Sequence, residues 1–95
     1  MANKELVCAT LEYYVLENYA IIHGLNQQII NFLEINIGKL NEASRRKNVF
    51  SASKCEIFNE PLTKILEHLL NIGFKNFGNH YDFQNQKHLF ILVNL

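Results

Sequence analysis

Arg45, Arg46 and Lys47 are consecutive, with Lys54 close behind, and they form the one concentration of charge in the chain. A guanidinium donates in a planar fork that fits carboxylates and phosphates, so this run can rim a pocket for an acidic peptide or a phosphate. The same run also suits a solvated helix face. The four histidines, His23, His68, His80 and His88, show neither HxxxH nor HxH spacing, and no metal site is expected from them. Cys55 follows Lys54 with no histidine in its sequence neighbourhood to activate it, so it reads as an ordinary thiol. Asp82 is the only aspartate, which leaves paired-carboxylate chemistry dependent on a glutamate. There is no glycine-rich phosphate loop. These residues give no basis for an enzyme or for a bound cofactor.

Composition narrows the partners further. Nine basic side chains against nine acidic ones leave no net field of the kind that draws a protein to nucleic acid or to an anionic membrane. Cys8 and Cys55 lie far apart and outside any CxxC motif, which points to thiols in a reducing compartment. The N-terminal residues lack the pattern of a signal peptide, and no long uncharged apolar run is present. The expectation is a cytoplasmic protein with residues 1–95 forming a single domain, 48% hydrophobic and able to build one core.

The elements expected to position these groups are four helices and a hairpin. Leu6, Val7, Leu11, Tyr14, Val15 and Ile22 recur at three- and four-residue steps, predicting a first helix over 4–23 capped by Asn3 and ended by Gly24. Asn26 caps a second, with Ile29, Ile30, Leu33 and Ile37 on one stripe and Gly38 as its stop. A short third helix, from Asn41 to about Phe50, has an acidic start and a basic end that suit the helix dipole. A fourth follows Asn59 and Pro61, with Leu62, Ile65, Leu66, Leu69 and Leu70 as its apolar face before Gly73. From Phe74 the period changes to two. Tyr81 and Phe83 alternate with polar residues, and Leu89 to Val93 is apolar on both faces, so this last strand is expected inside a sheet or under the helices. With the turn at Asn85 and Gln86, Tyr81 would face Phe90 and Phe83 would face His88. The fold class is α+β: a small helical body with a C-terminal antiparallel hairpin or small sheet.

The order Asn36-Ile37, then the basic run, then a Pro-led helix closed by Gly73-Phe74, then an apolar strand, resembles the PUB (also called PUG) domain of peptide:N-glycanase and certain UBX-domain proteins. The resemblance covers roughly residues 30–93. It implies a non-catalytic module whose third helix lines a groove for a short acidic-aromatic peptide, the C-terminal tail of the valosin-containing AAA+ ATPase. The family's groove Asn matches Asn36. Its Tyr falls on Arg46, its Arg on Phe50 and its later Asn on Ser53 or Ala52, so one position of four is kept. With Lys47, the expected partner-binding set is Asn36, Arg46, Lys47, Phe50 and Ser53.

Two alternatives come from other classes. Tyr13, Tyr14 and Tyr19 cover more than one face of the expected first helix, either as core or as an exposed strip for self-association, which would suit a small structural, dimerising or inhibitory protein. Helices followed by a hairpin also suggest a winged-helix nucleic-acid binder. Zero net charge and a wing bearing only Lys87 and His88 weigh against it.

Overall fold

The computed structural model describes residues 6–38, 40–41 and 46–94. The stretch expected to be the first helix is instead a β-hairpin, β1 (Val7–Tyr14) and β2 (Tyr19–His23), paired from Thr10 opposite His23 to Tyr14 opposite Tyr19. The expected cap, Asn3, lies outside the described residues. Leu11 and Ile22 satisfy a helical stripe, but Ala9, Leu11 and Tyr13 also satisfy a period of two, as do Ala20 and Ile22, and these five are the buried residues of the hairpin. Val, Thr, Tyr and Ile dominate the segment, and such side chains keep more rotamer freedom on a pleated strand than against a helical turn. Gly24 still ends the element, at φ 89°. A Cβ there would stand 2.4 Å from the Cys8 carbonyl oxygen, so the chain can leave the hairpin this closely only at a glycine.

Helix α1 (Gln27–Ile37) forms where its cap and stop signals place it. The Asn26 side chain accepts the Ile29 N–H at 2.9 Å, and Gly38 follows at φ 91°. Where a third helix is expected from Asn41 to Phe50, the described residues are not helical. Short strands β3 (Leu40–Asn41) and β4 (Arg46–Lys47) pair with each other, and β5 (Val49–Phe50) pairs with β6 (Cys55–Phe58). Arg45 and its three preceding residues lie outside the described set. Buried Asn48 holds the extended path: its amide donates to the Gly38 carbonyl at 2.9 Å and its oxygen accepts the Phe58 N–H at 2.8 Å. Those backbone groups would otherwise lose partners away from water.

Helix α2 (Leu62–Asn71) begins after Pro61, which takes the N-cap position. Asn59, expected there, sits instead at φ 57° and accepts a hydrogen bond from the Asn18 side chain. Ile65 and Leu69 are fully buried and Leu62 and Leu66 pack beside them, whereas Leu70 is 49% exposed and belongs to the outer side of the helix. The C-terminal hairpin is β7 (Phe74–Asp82) and β8 (Lys87–Asn94). Its register differs by two residues from the one expected: Tyr81 faces His88 and Asp82 faces Lys87. Asp82 sets this, because its carboxylate accepts the amides of Gln84 and Asn85 and closes the turn one step earlier.

Six strands make one antiparallel sheet in the order β5-β6-β2-β1-β8-β7. The described residues therefore make a mostly β domain of two helices, a six-stranded sheet and the small β3–β4 pair, and the four-helix, PUB-like body is not its architecture. β8 lies inside the sheet, between β1 and β7, as its two apolar faces suggest. Both helices pack on one face, where Leu11, Ile22, Ile57 and Leu92 meet Ile30, Leu33, Ile65 and Leu69. The opposite, outer face carries none of the described helices.

Candidate functional site

The residues expected to share a peptide groove fall on α1, β4, β5 and the turn after β5. Asn36 is exposed on α1 and bonds back to the Phe32 carbonyl at 2.8 Å, within its own helix. Phe50 packs against the core. Ser53 lies in the turn between β5 and β6, its carbonyl 3.4 Å from His23 Nδ1. Lys47 is exposed on β4, and Arg46 holds its guanidinium 5.3 Å from the centre of the Phe58 ring. A groove between a third helix and the sheet requires a helix where the described residues form the short strands β3, β4 and β5 instead.

Arg46 instead belongs to a cross-strand ladder on the outer face. The rings of Phe58, Tyr19 and Tyr14 stack in sequence, with centroids 4.8 and 5.8 Å apart, on the neighbouring strands β6, β2 and β1. Arg46 covers one end, and Lys87 Nζ lies 5.5 Å from the Tyr14 ring at the other. Carboxylates fix the hydroxyl edges: Tyr19 donates to Glu56 at 2.5 Å and Tyr14 to Glu12 at 3.1 Å. Lys54 and Lys87 pair with these same acids at 3.5 and 3.8 Å. Burial and the neighbouring carboxylate push the Tyr19 phenol well above its ordinary range, and the bond donated by Tyr19 holds the Glu56 carboxyl below its own. Of the three helix-one tyrosines, Tyr13 is core and bonds to the Asn18 side chain, whereas Tyr14 and Tyr19 are half-buried in the ladder. The ladder is thus largely satisfied from within.

The far edge of the sheet differs. β7 has β8 on one side, and no described strand pairs with its other side. Its outer-face positions are Lys75, Gly78, His80 and Asp82, because a bulge between Asn76 and Gly78 takes up Phe77. Gly78 has no side chain to fill its place in that row, and a cleft of about 160 Å³ opens there, lined by Gly78, Asn79, His80, Leu89 and Ile91. Ile91, in the strand interior, is 46% exposed for the same reason. Phe77 is 63% exposed and Phe83, just past the strand, 82%. Sequence reasoning missed this site. Its one signal was a glycine in an otherwise strand-like run, which marks a bulge or a close approach.

Cys55 is 1% exposed and its thiol is pushed up to about 11 by burial, far from the thiolate a nucleophile needs. His80 and His88 face opposite sides of the hairpin, His88 lying 4.6 Å from Tyr81. Among the described residues no three or more His, Cys, Asp or Glu side chains are placed to hold a metal. None of the described helices is long and apolar enough to cross a membrane. Compared with family models, with curated proteins and with solved structures, the chain matches none.

Proposed function

We propose that this protein is a non-catalytic interaction module that takes an extended peptide segment onto the free edge of β7, with one apolar side chain of that segment in the Gly78 cleft. A single observation carries the reading: a strand edge with no described strand beyond it and an apolar cleft coincide at Gly78. Strand addition divides the work in this way, main-chain hydrogen bonds supplying affinity and a side-chain pocket supplying selectivity. The cleft, about 160 Å³, is close to the roughly 150 Å³ of an apolar cavity that accepts benzene, so it suits one leucine or phenylalanine side chain. The reducing cytoplasm fits a chain whose described cysteines are free thiols, Cys55 in the core and Cys8 exposed.

The test is selection of a phage-displayed random peptide library on the wild type, followed by anisotropy titration of the selected peptides against wild type and Gly78→Leu. A Cβ at Gly78 meets nothing closer than Ile91 Cδ1 at 3.8 Å, so leucine fills the cleft without straining the fold. Selected peptides should share an apolar residue at a fixed position and lose about tenfold in affinity, ~1.4 kcal/mol, against the variant. Peptides that bind both proteins equally, or no enrichment at all, would overturn the reading.

A further inference from the structure

The outer-face row of β7 reads Lys75, Gly78, His80, Asp82, opposite Val93, Ile91, Leu89 and Lys87 of β8. A positive and a negative charge therefore stand at its two ends, with a gap and a ring between them. Antiparallel pairing of this edge with a second copy of itself has a two-fold axis normal to the sheet, which sets one residue opposite its own copy and keeps each face on its own side. With that axis at Asn79, counting rungs and leaving Phe77 in its bulge, Gly78 falls opposite His80 of the second copy. Lys75 falls opposite Asp82 of the second copy. Symmetry makes each contact twice.

Resting on the reading of β7 as the docking edge, we infer that in the absence of a peptide this edge takes β7 of a second copy, forming a two-fold dimer with one continuous sheet. Two features of the strand select that occupant. Lys75 is exposed and Asp82 half-buried, and the pairing register brings each to its opposite charge, which favours this register over slipped ones. The exposed His80 ring is carried over the glycine of the facing strand, where it covers the cleft left by the missing side chain, as an aromatic neighbour covers an edge glycine. An edge strand of nine residues with exposed Phe77 in its bulge is otherwise a template for open-ended aggregation. Self-pairing about a two-fold axis closes it. One strand pair buries less than the roughly 1,200 Å² of a stable complex, so the dimer is a weak one that a peptide can displace.

Sedimentation equilibrium of the full chain tests this with charge reversals. Lys75→Asp alone sets acid against acid in both contacts and should weaken self-association about tenfold, as should Asp82→Lys alone, which sets base against base. Mixed together, the two variants restore both opposite-charge contacts and should associate as tightly as the wild type. Asp82 also caps its turn, so Asp82→Asn, which keeps an acceptor oxygen, serves as a second variant and should weaken the dimer less than the reversal does. A wild type that stays monomeric at millimolar concentration overturns the dimer, as does a dimer insensitive to both reversals or a mixture that fails to associate. If peptides selected on the wild type still depend on Gly78 in that case, the docking edge stands and only its self-pairing falls. Self-association without any selected peptide would leave the dimer and remove the peptide.

Discussion

The two faces of the sheet differ in what completes them. On the inner face, Leu11, Ile22, Ile57 and Leu92 are fully buried under two helices. The outer face carries none of the described helices and protects itself, from β6 to β1, by stacking Phe58, Tyr19 and Tyr14 and tying the two tyrosine hydroxyls to Glu56 and Glu12. That device stops at β7, where Gly78 interrupts the row and the edge has no described strand beyond it. Burial is thus concentrated on one face, and the gap in the surface lies at one margin of the other. A surface can look aromatic and charged and yet be occupied with itself, while the less conspicuous glycine marks the opening.

The contrast breaks most visibly in the core. Leu69→Ala removes a fully buried side chain and should cost about 2 to 5 kcal/mol, while half-buried Leu66→Ala should cost clearly less. At about 4 to 8 °C per kcal/mol for a domain of this size, thermal melting will separate them. Equal losses would mean that the helix presents a different face to the sheet.

The outer face should respond to pH rather than collapse. The folded Glu56 carboxyl lies below its ordinary value, so its contribution is present above the unfolded carboxyl pKa of about 4.3 and is lost as acid protonates it in the folded state. The Tyr19 phenol is raised, so its contribution is complete below about pH 10 and is lost as pH rises beyond the unfolded value. Glu56→Gln should flatten the acid limb of a stability profile, and Tyr19→Phe, which removes both the phenol and the bond that lowers Glu56, should flatten both limbs. A profile unchanged in both variants would show that the Tyr19–Glu56 bond carries no weight in solution.

Smallest is the effect expected at the end of the ladder. Arg46→Ala removes a cation from above Phe58 and should cost about 0.5 to 1 kcal/mol in denaturant unfolding, the range for an exposed cation over a ring. A loss as large as that of Leu69→Ala would place Arg46 among the groups that hold the fold.

Local signals and pairing contributed different parts of this molecule. α1 was legible because Asn26 and Gly38 act on backbone groups within a turn of themselves, and α2 because Pro61 and Gly73 frame a stripe that includes Ile65 and Leu69. The Leu89 to Val93 run announced an interior strand by being apolar on both faces. The hairpin at residues 7–23 was not legible, since its apolar residues satisfy both a helical and a strand period. What decided it was pairing to β6 and β8, whose residues lie more than thirty positions away. The same holds for the site. The basic run at Arg46 was visible, but its partner Phe58 was not, and neither was the cleft at Gly78, which exists only because Ile91 and Leu89 lie beside that glycine. Caps and stops are short-range chemistry written in adjacent residues, whereas a sheet, its free edge and the gap in its surface arise from contacts that the chain makes only once folded.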